Sequence, residues 1–273
     1  MYAQYWNLGS RPFENDCDAS FFYRSRTHQA AHLKLQYLLE SNKGAGLLVG
    51  GTGYGKTYLA KMLVNDLEER FGPVVWVHYP FLTASELLAY LAAQVTGDDV
   101  EAARDELALD RVLRQLQSGL AQFADDGKHP LIVIDDAHLI EDQRVFQTIQ
   151  LLLNLRNESP FTLLMCGQRS LLARIEHMPE LNERLGVKSL LQSFSRDETA
   201  EYIRHRLHVA GLKQPVFDEA ALTEIYELSG GVPRRINRIA DLALLVGFAD
   251  GMRQLSAREI ESVADEVGQC VPV

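Results

Sequence analysis

Gly50-Gly51-Thr52-Gly53-Tyr54-Gly55-Lys56-Thr57 decides the fold, because it joins the apolar run Leu47-Leu48-Val49 to a helical pattern that starts at Lys56. The stretch matches G-x-x-x-x-G-K-[ST] in full, and a strand before it with a helix after it is the context that gives this motif meaning. Each part has a physical task. Glycines let the backbone bend closely enough for its N–H groups to surround phosphate oxygens. The following helix turns its positive N-terminal end toward the same anion. Lys56 brings a mobile cation to the β- and γ-phosphates, and the Thr57 hydroxyl is a ligand for Mg²⁺. Gly51, Thr52, Gly53, Tyr54, Gly55, Lys56, Thr57 and Tyr58 are therefore the expected nucleotide-binding residues, with ATP and Mg²⁺ as the expected ligands.

Outward from this turn, apolar residues recur at helical spacing over 27–39, and the helix opening at Lys56 is expected to run over 56–70. A second strand is expected at 74–77, between Gly72-Pro73 and Pro80. Thr83 followed by Glu86 predicts a capped helix over 83–95, and another is expected over 107–123. Leu131-Ile132-Val133-Ile134 is a continuous apolar run, the pattern of a strand buried on both faces. A helix over 142–155 and strands at 161–166 and 187–191 complete the alternation. Strands that alternate with helices and are apolar throughout predict a parallel sheet covered on both faces. Beyond Phe194 only helices are expected, over 197–210, 218–228, 233–248 and 257–267. The fold class is thus α/β: a doubly wound, parallel, five-stranded P-loop sheet with a C-terminal α-helical lid. The expected domains are 1–195, including an irregular aromatic lead-in, and 196–273.

Asp135-Asp136 closes the 131–134 strand. Asp135 is placed to help hold Mg²⁺ opposite Thr57. Asp136 is placed to orient and deprotonate an attacking water, which needs a carboxylate near the γ-phosphate.

Composition bounds the remaining possibilities. The chain has 273 residues, of which 47% are hydrophobic and 23% charged, the balance of a globular protein. No apolar run is long enough to span a bilayer. Met1 to Ser10 has neither a basic start nor an apolar stretch, so a secretory signal is not expected. Three cysteines (Cys17, Cys166, Cys270), odd in number and outside any motif, fit a reducing cytoplasm. A net charge of −10 disfavours a face that grips DNA phosphates, although Arg234, Arg235 and Arg238 form a local basic cluster. His28 with His32, and His205 with His208, lack a third ligand and are read as packing or surface residues. Trp6, Phe13, Phe21, Phe22 and Tyr23 suit either an adenine contact or the core.

These motifs together resemble the ring-forming AAA+ ATPases. More narrowly, the chain is similar to the ATPase domain of general secretion pathway protein A, the ExeA type. Tyr5-Trp6-Asn7-Leu8, Arg11-Pro12-Phe13 and Phe22-Tyr23-Arg24-Ser25 with His28 carry the resemblance at the start. Ile134-Asp135-Asp136-Ala137-His138, Gly167-Gln168, Tyr202-Ile203-Arg204-His205-Arg206-Leu207 and Gly231-Val232-Pro233-Arg234-Arg235-Ile236-Asn237 continue it in order. Regulators of transposition of the TniB and MuB kind are similar relatives. The resemblance implies that Gln168 is sensor 1, touching the γ-phosphate or the water. It implies that Arg184 is an arginine finger for a neighbouring subunit's nucleotide, and that Arg234 is sensor 2. It also implies self-assembly and a macromolecular partner that ATP hydrolysis drives or switches. Asp136 stands where the family usually has Glu, one methylene longer. Two alternatives remain open at this point: an ATP-dependent, DNA-binding regulator of transposition, and a nucleotide-switched scaffold with little hydrolysis.

Overall fold

The computed structural model describes residues 2–15, 18–99, 101, 106–157 and 160–269; Cys17 and Cys270 lie outside them. The strands are β1 (Ala45–Val49), β2 (Val74–Val77), β3 (Leu131–Ile134), β4 (Thr162–Gly167) and β5 (Leu185–Leu190). The helices are α1 (Tyr2–Tyr5), α2 (Arg26–Glu40), α3 (Lys56–Asn65), α4 (Ala84–Thr96), α5 (Glu106–Asp125) and α6 (Gln143–Leu152), then α7 (Arg169–Glu176) and α8 (Pro179–Glu183). Four more follow: α9 (Arg196–Val209), α10 (Glu219–Ser229), α11 (Pro233–Ala249) and α12 (Ala257–Gln269). Contacts divide the chain into two compact units. One holds His28–Gly51 and Lys56–Leu191; the other holds Met1–Thr27, Thr52–Gly55 and Gln192–Val273.

The sheet unit contains all five strands, parallel throughout, in the order β2-β3-β4-β1-β5. Sequence patterning follows position in that order. β1, β3 and β4 are central and buried along their whole length, whereas the edge strands β2 and β5 alternate. A central strand in a parallel sheet has helices on both faces, so every side chain must be apolar or small. The capping box at the start of α4 is present, with Thr83 Oγ1 accepting from the Glu86 amide and the Glu86 carboxylate accepting from the Thr83 amide. Asp142 caps α6 more simply, its carboxylate accepting from Arg144 N without a reciprocal bond.

Two local readings change. The helix expected over 56–70 stops at Asn65, where Asp66 N turns back to Met62 O and Leu63 O. Glu68, Glu69 and Arg70 are exposed, so no apolar face carries the helix further. Instead the chain folds over to bury Phe71 against His129. Between β4 and β5 the chain also forms α7 and α8, which the reading did not assign. Leu171 and Ile175, one turn apart and fully buried, anchor α7, and Pro179 opens α8.

The helical unit packs α9 to α12 around Ile203, Ile225, Ile236, Ala240 and Leu244. The expected boundary put the lead-in with the sheet; the compact units group it with these helices. The aromatic side chains explain the grouping. Trp6, Phe13 and Phe21 are buried in the same core, and Trp6 Nε1 donates to Leu244 O at 2.9 Å. Arg206, 2% exposed, donates to Glu14 O and lies over the Phe21 ring. Its other terminal nitrogen donates to Tyr202 Oη, which donates to Asn237 Oδ1, and Asn237 Nδ2 donates to Asn15 Oδ1. Among the described residues no helix is long and apolar enough to cross a membrane.

Candidate nucleotide site

The site follows from strand order. β4 pairs with β1 on one side and β3 on the other, so the turns after β1 and β3 flank the carboxyl end of β4. Ligands in open parallel sheets bind at this edge, where successive connections leave in different directions.

After Val49 the chain enters the glycine turn. Gly53 and Gly55 adopt φ of 78° and 86°, in the left-handed region that favours glycine. A Cβ at Gly53 would also lie 2.8 Å from the Arg234 Cβ, so only hydrogen fits there. α3 begins at Lys56, whose buried ammonium folds back over the turn to donate to Gly50 O at 3.1 Å and Gly51 O at 3.0 Å. One residue on, Thr57 Oγ1 donates to Asp135 Oδ2 at 2.7 Å. That bond joins the helix after β1 to the end of β3, across β4. Residues 52–54 and Tyr58 occupy the same turn and the first turn of α3.

The two aspartates divide their work by exposure. Asp135 is buried (6%), and its Oδ1 accepts from the Asp136 amide. Asp136 takes the left-handed conformation (φ 48°, ψ 33°), which aspartate tolerates better than most residues, and the chain leaves the strand at once. Its carboxyl group stays exposed, 3.7 Å from His138 Nδ1. Gln168 is half-buried as the first residue after β4, between the ends of β1 and β3. Burial pushes the neighbouring Cys166 thiol up, and the Asp135 and Asp136 carboxylates add to this while Lys56 opposes it. Cys166 therefore stays a neutral packing residue.

Mg²⁺ is tested by the donor set. Thr57 and Asp135 present hard oxygen ligands in hydrogen-bond contact, and Mg²⁺ characteristically takes one or two protein oxygens and completes its shell with substrate phosphates and water. Among the described residues no group of three His, Cys, Asp or Glu forms an all-protein metal cage. His28 and His32 are buried, and His32 Nε2 lies 3.3 Å from Asp66. The residues fit Mg²⁺ held jointly with a phosphate substrate.

The other two arginines lie in different surroundings. In the helical unit, Arg234 is the second residue of α11, and its amide donates to Gly53 O at 3.3 Å. Gly231 positions this helix start: it has φ 69°, and a Cβ there would collide with Phe194 O at 2.0 Å. Arg184 caps α8 and is exposed. It precedes Leu185, which pairs with Ala45 at the start of β1, whereas Leu190 pairs with Val49 beside the glycine turn. Arg184 thus sits at the amino edge of the sheet, and the other candidate residues of the sheet unit lie at the carboxyl edge.

One contributor had no signal in the motifs. Arg174, on α7, donates to Ile140 O, reaches His138 O at 3.5 Å and lies over the Phe146 ring. It braces the turn after Asp136 from the helix that follows Gln168. An isolated arginine on a short helix gives no sequence pattern to find it by.

A glycine turn between strand and helix, a lysine folded over it and a hydroxyl–carboxylate pair at the switch point together define a P-loop nucleotide-binding protein. Comparison with known proteins agrees. A family model described as an AAA domain matches residues 39–175, just over half of the 273-residue chain. The chain is 32% identical over 272 residues to general secretion pathway protein A of Aeromonas hydrophila, covering 98% of this chain and 48% of that protein. It therefore spans about half the length of that relative. In fold it is similar to the ORC2 protein of Aeropyrum pernix, solved as ADPNP–ADP complexes, with TM-score 0.71, 19% identity, and 96% and 72% of the two chains covered. It is also similar to Cdc6p of Pyrobaculum aerophilum, with TM-score 0.72, 15% identity, and 96% and 74% covered. The chain belongs to the AAA domain family, built on a P-loop α/β fold.

Proposed function

We propose that the chain binds ATP with Mg²⁺ at the glycine turn, hydrolyses it, and uses the cycle to drive or switch a protein partner. The observation that carries this reading is the 2.7 Å bond between Thr57 and Asp135, because it unites the phosphate turn and the acidic strand end in one site. Thr57 and Asp135 hold Mg²⁺, which when bound supplies charge neutralisation to the β- and γ-phosphates. Backbone amides of 51–57 and the Lys56 ammonium bind the phosphate oxygens. Asp136 orients a water for in-line attack on the γ-phosphorus and takes its proton as the bond to the β-phosphate oxygen breaks. Gln168, between the two, contacts that water or the γ-phosphate. Arg234, at the turn through its amide, follows the γ-phosphate and couples the helical unit, acting as a lid, to the nucleotide state.

Self-assembly completes the site in this reading. Arg184 lies at the wrong edge of the sheet for its own nucleotide, so it acts on a neighbouring copy's γ-phosphate and neutralises charge there. The net charge of −10 favours a protein partner over a DNA backbone. A partner of secretion or assembly type, as the name of the 32% identical relative suggests, is consistent with this. The cytoplasm, where thiols stay reduced, is the proposed compartment.

The direct test is turnover of MgATP by the purified chain and by Asp136→Asn. The reading expects the variant to bind nucleotide as well as the parent and to lose turnover by about 10²-fold or more. Undiminished turnover in Asp136→Asn would remove the water-positioning role. Duplex-DNA affinity that rises with ATP and falls steeply with salt would instead favour a transposition-regulator role.

A further inference from the structure

α11 begins with an arrangement that is costly in an isolated chain. Arg234, Arg235 and Arg238 are all exposed on its first two turns, within an arc of roughly 100° of the helix. Cations at a helix N-terminus oppose the positive end of the macrodipole. They also repel one another at i,i+3 and i,i+4 spacing. Among the described residues none of the three has an ion pair, in a chain whose acids outnumber its bases 37 to 27. Arg234 has a use at the glycine turn. Arg235 and Arg238 have no ion pair or side-chain hydrogen bond among the described residues.

The complementary surface lies around Arg184. α8, which ends one residue before it, exposes Glu180 and Glu183, and neither has an ion pair among the described residues. Glu180 accepts a hydrogen bond from Gln150, which holds its carboxylate in place. If Arg184 reaches a second copy's phosphate turn, Glu183 and Glu180 arrive with it. They lie one residue away and about 6 Å along the helix, respectively. The glycine turn they approach is the one on which the first turn of α11 rests, through Arg234 N and Gly53 O. Arg235 and Arg238 follow within the same two turns.

We propose that Arg235 and Arg238 of one copy meet Glu180 and Glu183 of a second copy, forming a charged latch beside each shared nucleotide site. The proposal rests on Arg184 acting between copies and adds to it which surfaces pair. The latch is heterologous: each copy offers its α11 face to one neighbour and its α8 face to the other, the arrangement that builds rings or filaments. Since the pairs sit at a wet rim, they set partner orientation and salt sensitivity more than total affinity.

Charge reversal tests it on the full chain. Arg235→Glu/Arg238→Glu and Glu180→Lys/Glu183→Lys are each expected to raise the concentration needed for ATP-dependent assembly by roughly tenfold, measured by sedimentation. Binding of a fluorescent ATP analogue to each copy should stay unchanged, since none of the four side chains is in the nucleotide site. An equimolar mixture of the two variants should recover assembly, because alternating copies make every α11–α8 contact complementary. One chain carrying all four reversals should recover it too. Folding of each variant is checked by thermal unfolding, and Arg235→Gln/Arg238→Gln provides a milder version. Failure of both the mixture and the fourfold variant to recover, with all chains folded, would overturn the latch. Loss of analogue binding in the arginine variant would overturn it differently, by placing those arginines on nucleotide. The underlying reading is judged separately, by whether Lys56→Ala and Arg184→Ala chains complement each other on mixing.

Discussion

The two edges of the sheet differ in what they can do alone. At the carboxyl edge, Lys56, Thr57, Asp135, Asp136 and Gln168 converge around the end of β4, with a 2.7 Å bond tying two of them together. That edge has the amides, cation and oxygen ligands for a triphosphate and its metal. The amino edge holds Arg184, exposed before β5, and His129, half-buried before β3. Arg184 has no ion pair among the described residues, and His129 bonds Thr162 Oγ1. On the proposed reading, the difference means that binding belongs to a single chain, while full turnover belongs to a pair of chains.

The largest expected effect breaks the carboxyl edge. Lys56→Ala removes the cation folded over Gly50 O and Gly51 O, and should lower turnover by about 10³-fold or more, with ATP affinity lost as well. A phosphate-release assay with a nucleotide titration checks both. Next comes the amino edge: Arg184→Ala should leave nucleotide binding intact and cut turnover by about 10³-fold. Mixing it with Lys56→Ala chains should return part of the activity, since some copies then pair an intact turn with an intact arginine. No recovery from two folded variants would place Arg184 outside catalysis between copies.

The smallest effect concerns stability. Burial, with Arg156 and Arg70 nearby, lowers the His129 pKa from 6.5 to about 4. The fold therefore keeps the ring neutral, bonded to Thr162 Oγ1 at 2.8 Å, while the unfolded chain takes up a proton below its own pKa of 6.5. Stability from this group is complete above that value and falls as pH drops from about 6.5 toward about 4. Urea midpoints at pH 7 and pH 5 should differ more for the parent than for His129→Gln. Nucleotide affinity corrected for the folded fraction should not follow the substitution.

How much of this was legible depended on locality. The glycine turn, the capping box at Thr83 and the apolar strand ending in Asp135-Asp136 are local patterns, and each lies where it was read. Helix extent was less legible. The stretch from Asp66 to Arg70 is rich in helix-forming residues, yet the chain turns away because it has no apolar face to bury. Arg169–Glu176 carries a buried Leu171–Ile175 pair, but two residues on so short a helix make a weak period. The lead-in was the least legible part. α1 is only four residues long, so Trp6, Phe13 and Phe21 show no periodicity, and only their burial reveals the helical unit as their core. Arg174 and the Arg206–Tyr202–Asn237–Asn15 chain depend on contacts distant in sequence. The resemblance in the motifs gave Arg184 and Arg234 roles that spacing alone does not supply.

Titration of ATP into the purified chain in the presence of Mg²⁺, followed by calorimetry, tests the central claim most directly. The account predicts saturable binding near one nucleotide per chain, abolished in Lys56→Ala. A folded parent chain that takes up neither ATP nor ADP under those conditions would contradict it.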